Sequence, residues 1–428
     1  MSLPPDAGRF GLSAPDPLSG TEACTTPMSM HSDPADWPAP VPALARPLGS
    51  AAGSTPCLAE LTTLRVGGPV DSYVEARTEA ELIDAVRQAD AAGTPLLVIG
   101  GGSNILAADA GFAGVVVRDA RQEVSLSADD RCGGVEFTAT AGTTWDDLVR
   151  EAIANQWGGF APLSGIPGTV GAAPVQNIGA YGAEVAELLA SVRAWDRAAG
   201  RPVHLPLARL RLSYRDSDLK RSLTDATIGG GRTWGPTGRW VVLSVTFSVR
   251  TASLSAPIAY AQLARTLGAE VGDRVDARAV RDAVLELRRS KGMVLDDADH
   301  DTWSAGSFFT NPILTRAQAD ALPDDAPRFP VTDHSQAVTG TRQAPVVEGL
   351  VKTSAAWLID HAGFGKGFAL PAAGAEPTAS LSTKHVLALT NRGHARAADL
   401  AGLRDAVVTG VRERFGVTLV PEPVHVGF

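Results

Sequence analysis

Residues 164–182 read SGIPGTVGAAPVQNIGAYG, and this stretch restricts the fold and function of the chain most strongly. Five glycines and two prolines in 19 residues predict a rigid, irregular backbone with exposed amide groups. Small side chains at Ala172 and Ala173 leave room for a planar ring, while Gln176 and Asn177 offer amide donors and acceptors. Irregular loops of this length are uncommon inside compact domains unless they have a function. The stretch is therefore interpreted as a ligand-binding loop, with a structural loop as the alternative.

A second glycine-rich turn lies upstream, directly after a predicted buried strand. The short apolar strand runs from Leu96 to Ile99, and Gly100-Gly101-Gly102-Ser103-Asn104 follows it. Backbone N–H groups in such a turn can point together at a pyrophosphate, and glycines let the phosphate approach closely. Ile105 stands where the Gly-x-Gly-x-x-Gly fingerprint needs its third glycine, so a Rossmann dinucleotide fold is disfavoured. An ordinary structural turn is the alternative.

Composition indicates a globular protein with more than one domain. The chain has 428 residues, 44% hydrophobic and 20% charged, whereas single cores rarely grow beyond roughly 250–300 residues. A net charge of -9 argues against a general nucleic-acid binder but leaves an anionic small-molecule ligand open. Cys24, Cys57 and Cys132 are too scattered to predict a disulfide framework or a zinc cluster, so no metal site is expected.

The sequence also carries an expectation about location. No uninterrupted apolar run approaches the ~20 residues of a membrane span. The N-terminus lacks the basic region and the following apolar region of a signal peptide. We therefore expect a cytoplasmic protein, and we expect it to be a monomer that has neither a membrane nor a nucleic acid as partner.

The pattern along the chain divides it into three parts. Residues 1–56 hold 11 of the 29 prolines and no lysine, and they show no apolar period, so they are predicted to be disordered. A helix capped by Thr78 and Glu81 and a strand over residues 241–249 are predicted in the next part. Helical periodicity dominates the remainder, which places a domain boundary near residue 252.

Three further segments carry side chains that suit catalysis. Arg215, within Ser213–Ser217, could capture a carboxylate or phosphate, although a surface Arg–Asp pair is the alternative. Ser307 stands between Gly306 and two phenylalanines, where a partly desolvated hydroxyl could donate a proton, although most such serines are structural. Glu422 lies between two prolines, where a lone carboxylate would usually be solvated. No Gly-x-Ser-x-Gly elbow is present, so a hydrolase nucleophile is not indicated.

Taken in order, these segments resemble the UDP-N-acetylenolpyruvoylglucosamine reductase family. The resemblance extends from roughly residue 58 to the C-terminus and is most specific over Ile166–Gly182 and Ala305–Pro312. The segments that carry it are Thr62–Gly68, Ile99–Leu106, Ile166–Gly182, Tyr214–Ser217, Ala305–Pro312 and Pro421-Glu422.

The resemblance implies an α+β fold with two parts. Residues 57–252 would form a two-lobed FAD-binding region of the vanillyl-alcohol oxidase-like (PCMH) type. Residues 253–428 would form an α+β substrate-binding domain, whose last strand contributes Glu422 to the active site. The implied cofactors are FAD and NADPH, and the implied reaction reduces the enolpyruvyl ether of a UDP-sugar to UDP-N-acetylmuramate, a peptidoglycan precursor.

The resemblance also implies roles for individual residues. Ser307 would be the proton donor, and Arg215 and Glu422 would stabilise the enolate-like carboxylate that forms on the substrate. Tyr260, Lys291 and Asn311 would contact the substrate, with Tyr260 closing over its diphosphate. The residues expected to bind the cofactor are Gly100, Gly101, Gly102, Ser103, Asn104, Pro167, Gly168, Gly171, Ala173 and Gly179.

Two features of the sequence leave questions within this resemblance. Family members often carry Val then Arg after the terminal glutamate, whereas this chain has Pro423 and Val424, so another residue would have to set the environment of Glu422. Residues 227–240 look like an added hairpin or loop.

The proposed role of Ser307 also needs a second group. A serine hydroxyl is a weak acid, so a nearby cation such as Lys291, or an ordered water, would have to help replace the proton of Ser307.

Two rival functions remain open from the sequence. One is another FAD-dependent oxidase or dehydrogenase of the same FAD-binding architecture, against which Ala305–Pro312 and Glu422 speak. The other is a catalytically silent nucleotide-binding module, against which the joint presence of Ser307, Arg215 and Glu422 speaks.

Overall fold

The computed structural model describes residues 55–130, 134–332, 345–371 and 376–428. The predicted disordered tail, residues 1–56, lies outside these ranges except for its last two residues, as do Cys24 and Cys132. Within the described ranges, no helix is long and apolar enough to cross a membrane, and no cluster of His, Cys, Asp and Glu could hold a metal ion.

The first lobe, residues 55–120, is a small parallel sheet covered by a helix. Its elements are α1 (Leu58–Leu61), β1 (Val70–Ala76), α2 (Glu79–Ala92), β2 (Leu96–Ile99), β3 (Ile105–Ala107) and β4 (Phe112–Asp119). The sheet has the order β1-β4-β2, and both pairings are parallel. Helix α2 begins at the predicted capping box, because the Glu81 N–H donates to Thr78 Oγ1 and the Thr78 N–H donates to Glu81 Oε2. The helix then packs its apolar face on this sheet.

The second lobe, residues 121–252, is built on a five-stranded antiparallel sheet. Its elements are β5 (Val124–Asp130), β6 (Gly134–Thr140), α3 (Trp145–Ala154), α4 (Ala173–Gln176), β7 (Gly179–Ala180), β8 (Ala183–Glu184), β9 (Leu189–Asp196), β10 (Arg201–Pro206), α5 (Leu207–Leu210), α6 (Asp218–Arg221) and β11 (Trp240–Val249). The sheet order is β10-β9-β11-β6-β5. The predicted strand over residues 241–249 is confirmed as β11, and Phe247 on it packs 5.2 Å from Phe137 on β6, measured between ring centroids.

Two local predictions in this lobe are refined. Helix α3 is confirmed, with Thr144 at its N-cap position, but the Thr144 hydroxyl makes no cap hydrogen bond. The backbone N–H of Trp145 donates to Gly168 O at 3.0 Å, so the glycine-rich loop covers the start of the helix. Residues 227–239 form a loop rather than a hairpin, and the Trp234 indole N–H donates to Gly229 O at 2.7 Å within it.

The C-terminal part, residues 253–428, combines short sheets with two long helices. Its elements are α7 (Ala261–Thr266), α8 (Ala277–Ser290), β12 (Ile313–Thr315), α9 (Arg316–Asp320), β13 (Arg328–Thr332), β14 (Val346–Thr353), α10 (Ala355–His361), β15 (Ala379–Leu381), β16 (Leu389–Asn391), α11 (Ala397–Phe415) and β17 (Val424–Val426). The predicted amphipathic face of α11 is confirmed, since Leu400, Leu403, Val407 and Val411 are all buried. Gly416 ends the helix in the left-handed conformation, as its position predicts.

The end of the chain returns to the first lobe. Strand β17 pairs in parallel with β3, and the Val424 N–H donates to Asn104 O at 2.9 Å. Two residues before Val424, the backbone N–H of Glu422 donates to Phe308 O at 2.9 Å. These bonds fix Glu422 between the glycine-rich turn after β2 and the segment that carries Ser307.

Helix α8 is attached to the second lobe by a buried ion pair. Both guanidinium NH2 groups of Arg281 donate to the carboxylate of Asp146 on α3, each at 2.7 Å. The side chains are only 3% and 1% exposed. The same carboxylate accepts the Gly165 N–H at 2.7 Å, so this pair also holds the start of the glycine-rich loop.

Candidate active site

A cavity of about 390 Å³ lies where the two glycine-rich segments face each other. All ten residues that the sequence analysis assigned to the cofactor line this cavity, as do Arg215, Ser307 and Glu422. The Ser103 hydroxyl donates to Pro167 O at 3.1 Å and ties one glycine-rich segment to the other. The structure thus brings together residues that are up to 322 positions apart in the chain, from Gly100 to Glu422.

Glycine is required at two positions of the turn after β2, for different reasons. A Cβ on Gly100 would come within 2.6 Å of Thr169 Oγ1, so this glycine lets the two segments approach each other. A Cβ on Gly102 would lie 1.9 Å from Leu61 O, and its φ of +63° disfavours side chains. The sequence interpretation was that the glycines make room for a ligand. At Gly102, the neighbouring backbone already requires glycine.

The two amide side chains of the loop have different environments. Asn177 is buried, and its Nδ2 donates to Glu184 Oε2 at 2.8 Å and to Ser213 O at 2.9 Å, while its Oδ1 accepts the Ala186 N–H. The Nε2 of Gln176, in contrast, is buried beside the cavity with no hydrogen-bond partner in the described part of the chain. An unsatisfied buried donor is costly, so Gln176 is positioned to bind a polar ligand atom.

Arg215 and Glu422 meet at the cavity wall. Arg215 Nε lies 3.6 Å from Glu422 Oε1, and the side chains are 21% and 14% exposed. The guanidinium also donates to Gly179 O at 2.5 Å, which anchors it to the glycine-rich loop. Arg215 has a φ of +55°, a conformation that is uncommon for residues other than glycine. A tight turn imposes it, since Ser213 and Asp216 exchange backbone hydrogen bonds around it.

Lys220 is a cavity residue that the sequence analysis missed. Its ammonium donates to Arg215 O at 3.4 Å, and it lies at the end of the short helix α6. Burial lowers the pKa of Lys220, Arg215 lowers it further, and Glu422 and Asp216 act in the opposite direction. Arg215 and Lys220 both line the cavity beside Glu422, whereas Asp216 does not line it, so two cations are available there for an anionic ligand. Its position five residues after Arg215 was the signal available in the sequence.

The three residues predicted to contact the substrate do not line the cavity itself. Tyr260 is 41% exposed at the N-cap of α7, and its ring packs edge-on against Tyr181 with centroids 5.6 Å apart. The Lys291 ammonium, just beyond α8, lies 5.8 Å from the same Tyr181 ring and donates to Gln262 Oε1 at 2.9 Å. Asn311 contacts a different part of the chain. Its Oδ1 accepts the Ala355 N–H at the start of α10, and its backbone hydrogen-bonds to the hydroxyl of Tyr214, next to Arg215. Their substrate roles remain predictions.

Ser307 faces a histidine, His385, that no motif in the sequence singles out. Ser307 Oγ lies 3.4 Å from His385 Nε2, and His385 stands between β15 and β16. Burial lowers the pKa of His385 from 6.5 to about 4, and the positive charges of Lys291 and Lys366 contribute. The imidazole is therefore neutral near pH 7. Its 78-residue separation from Ser307 explains why no local pattern could find the pair.

The depressed pKa of His385 predicts a pH-dependent loss of stability. The unfolded chain binds a proton on this residue below about pH 6.5, and the folded protein does so only near pH 4, so stability falls as the pH drops through this window. Between pH 7 and pH 5, the His385 contribution to unfolding free energy should fall by about 2 kcal/mol. Guanidinium unfolding of the wild type and His385→Gln at both pH values checks this, because other titrating groups cancel in the difference. An equal pH effect in both proteins would contradict it.

Comparison with known proteins agrees with this geometry. Residues 70–206 match the family model of an FAD binding domain, and residues 297–426 match that of the UDP-N-acetylenolpyruvoylglucosamine reductase C-terminal domain. The solved structure of UDP-N-acetylenolpyruvylglucosamine reductase from Thermus caldophilus is similar with a TM-score of 0.50 at 23% identity, covering 86% of this chain and 97% of that one. The expected α+β fold with an FAD-binding region is therefore confirmed.

Several relatives share more sequence identity with this chain than that solved structure does. The UDP-N-acetylenolpyruvoylglucosamine reductase of Nocardia farcinica is 51% identical over 370 residues, which is 86% of this chain and 88% of the relative. That of Cutibacterium acnes is 47% identical over 383 residues, covering 88% and 92%. That of Saccharopolyspora erythraea is 49% identical over 393 residues, covering 88% and 98%. The chain described here belongs to the UDP-N-acetylenolpyruvoylglucosamine reductase family.

Proposed function

We propose that this chain is an FAD-dependent reductase that uses NADPH to convert the enolpyruvyl ether of UDP-N-acetylglucosamine into UDP-N-acetylmuramate. The observation that carries the proposal is that one cavity joins both glycine-rich segments to Ser307, Arg215 and Glu422. Family membership supports the same reaction, since the relatives are named for it. The product is a peptidoglycan precursor, so the protein would act in cell-wall synthesis.

The cavity has the features that FAD binding needs. The backbone of Gly100–Asn104 lines the cavity, and its amide groups would suit a pyrophosphate, while the absence of side chains at Gly100 and Gly171 lets neighbouring segments approach closely. The unpartnered Nε2 of Gln176 is a free donor for a polar atom of the ligand. When bound there, FAD would supply the hydride-transfer chemistry that no amino-acid side chain provides.

The protein side chains would handle charge and protons. Arg215 and Lys220 would hold the carboxylate of the enolpyruvyl group and stabilise the negative charge that develops on it. Ser307 Oγ would donate the proton that completes the reduction at the alpha carbon. Glu422, held beside Arg215, would orient that guanidinium and complete the charge balance of the site.

Tyr260 and Lys291, which lie outside the cavity lining, are suited to the other end of the substrate. The Lys291 ammonium and the Tyr260 hydroxyl are of the types that bind a diphosphate, and Tyr260 is exposed at a helix start from which it could close over it. Burial lowers the pKa of Lys291, and the charge of Arg288 lowers it further, which is the electrostatic cost of gathering cations before an anion binds.

Gln176 offers a test of cofactor binding that does not depend on turnover. Gln176→Leu removes a donor that has no protein partner, so the apoprotein should be as stable as the wild type or more so. FAD binding, measured by fluorescence titration of the apoprotein, should weaken about tenfold, equivalent to about 1.4 kcal/mol.

The matched control for this substitution is Gln122→Leu. Gln122 Nε2 donates to Gly142 O and its Oε1 accepts the Thr144 N–H, so its loss should destabilise the apoprotein. Unchanged FAD affinity in Gln176→Leu would show that this side chain does not contact the cofactor.

The proposed function is tested by the colour of the purified protein. It should be yellow, and NADPH should bleach it under anaerobic conditions faster than NADH does. Fast reoxidation by molecular oxygen with release of an oxidised alcohol would favour the rival oxidase. A colourless protein that binds UDP-sugars without turnover would favour the silent binding module.

Three accompanying proposals extend beyond the site. We propose a domain boundary near residue 252, with the FAD-binding region over residues 57–252 and the substrate-binding domain over residues 253–428. We also propose that the protein is a monomer and that it works in the cytoplasm. Limited proteolysis, analytical ultracentrifugation and cell fractionation test these three statements in turn.

A further inference from the structure

The hydroxyl of Ser307 is held against one titratable ring. Ser307 Oγ lies 3.4 Å from His385 Nε2. The two segments run side by side because the Phe308 N–H donates to Leu387 O at 2.8 Å. The backbone N–H of His385 donates to Ser382 Oγ at 3.2 Å, which fixes the turn that carries the imidazole ring. The contact is thus supported by the backbone on both sides.

A serine that gives its proton to carbon needs that proton replaced. The hydroxyl has one hydrogen and two lone pairs, so it can accept a hydrogen bond while its own proton points at the substrate. The sequence offered a nearby cation such as Lys291, or an ordered water, for this task, and the hydrogen bond that the Lys291 ammonium makes goes to Gln262 Oε1 at 2.9 Å. The imidazole of His385, in contrast, contacts the hydroxyl directly.

The surroundings of His385 favour a neutral ring. The charged groups that face it are Lys291, from the end of α8, and Lys366, and both disfavour an imidazolium. A neutral imidazole carries one N–H and one free nitrogen, so it can pass a proton on while taking up another. Such a ring transmits protons without storing charge beside an anionic intermediate.

We propose that His385 is a positioning residue for Ser307, donating Nε2–H to Ser307 Oγ and replacing the proton that the serine delivers to the substrate. This inference rests on the proposed function, in which Ser307 is the proton donor. As the new C–H bond forms, the Ser307 O–H bond breaks, and the Nε2 proton moves to Oγ. Nδ1 takes up a proton from water, so the ring ends neutral, and exchange with water restores the first tautomer.

Kinetics of the two half-reactions in His385→Ala test this relay. Reduction of the bound flavin by NADPH should keep its wild-type rate, whereas its reoxidation by the UDP-enolpyruvyl sugar should slow by about 10²-fold. The apparent Kd for the sugar should change by less than about threefold, because the ring acts on the proton and not on binding. His394→Gln, at an exposed histidine, is the control and should behave as the wild type.

A double substitution separates a relay from a structural effect. In a Ser307→Ala background, His385→Ala should cause no further loss, since residues that act as one unit are strongly non-additive. An equal additional loss in both backgrounds, or a matching loss in flavin reduction, would overturn the inference. If Ser307→Ala itself keeps its reoxidation rate, the proposed role of Ser307 fails instead, which is a different outcome.

The tautomer provides a readout that is independent of activity. The 15N NMR spectrum of the histidine-labelled holoenzyme near pH 7 should show a neutral His385 with its proton on Nε2, identified by its loss in His385→Gln. Ser307→Ala should shift the Nε2 signal more than the Nδ1 signal. A neutral ring protonated on Nδ1 would mean that Ser307 donates to the ring, which would contradict the proposed relay.

Discussion

Ser307→Ala should stop the second half of the reaction while leaving the first half intact. NADPH should reduce the bound flavin at the wild-type rate, because that step needs no proton on the sugar substrate. Reoxidation by the UDP-enolpyruvyl sugar should fall by about 10²–10⁴-fold, the usual contribution of a general acid. Stopped-flow absorbance of the flavin measures both halves on one sample.

Two further variants sharpen this result. Ser307→Cys keeps a donor at the same position and should recover part of the lost rate. Ser127→Ala removes a hydroxyl from an exposed position on β5, outside the cavity, and should leave both halves unchanged. Modest, equal losses in the two halves for Ser307→Ala would mean that Ser307 shapes the site without donating the proton.

Asp146→Ala should strongly destabilise the folded protein. The substitution leaves the Arg281 guanidinium buried without its carboxylate and also removes the acceptor of the Gly165 N–H. Breaking a buried pair from one side costs about 3–5 kcal/mol, because the remaining charge is uncompensated. Chemical unfolding of the FAD-bound protein measures it, and bound flavin should also be lost more readily, since the glycine-rich loop starts at Gly165.

The control for Asp146 is an exposed ion pair. Arg316 Nε lies 3.6 Å from Asp320 Oδ1, with side chains that are 76% and 62% exposed, so Asp320→Ala should change stability by less than about 0.5 kcal/mol. The double variant Asp146→Leu with Arg281→Met should recover much of the loss, because no buried charge is left unpaired. A change below about 1 kcal/mol for Asp146→Ala would contradict the importance of this pair.

Local sequence patterns predicted the elements whose causes are local. The Thr78 and Glu81 spacing gave the start of α2, and the buried face of α11 followed from its apolar period. The strand before Gly100 and the loop from Ile166 to Gly182 were recognised because their residue types restrict the backbone by themselves. Their joint position around one cavity came only through the family resemblance, since no local signal relates them.

The remaining features depend on contacts that no pattern along the chain reveals. Gln176 and Asn177 are neighbours of the same chemical kind, yet only the tertiary structure shows that Asn177 is fully hydrogen-bonded and that Gln176 Nε2 is free. The same holds for Arg281 with Asp146, 135 residues apart, and for His385 with Ser307. The Arg281–Asp146 pair is decided by how the C-terminal part packs on the second lobe, and the His385–Ser307 contact by how the C-terminal part itself folds.

Lys220 is a charged neighbour of Glu422 that the family resemblance did not indicate. Pro423 and Val424 follow Glu422 in this chain, and the family resemblance raised the question of what sets the environment of Glu422. Lys220 and Arg215 both act on Glu422 in the structure, from one turn and the short helix that follows it. We infer that the positive charge comes from this segment.

The most direct measurement is an anaerobic titration of the NADPH-reduced protein with the UDP-enolpyruvyl sugar. The flavin absorbance should return linearly and completely at one equivalent of sugar, with one equivalent of UDP-N-acetylmuramate formed. A flavin that stays reduced in the presence of the sugar and returns only with oxygen would contradict it.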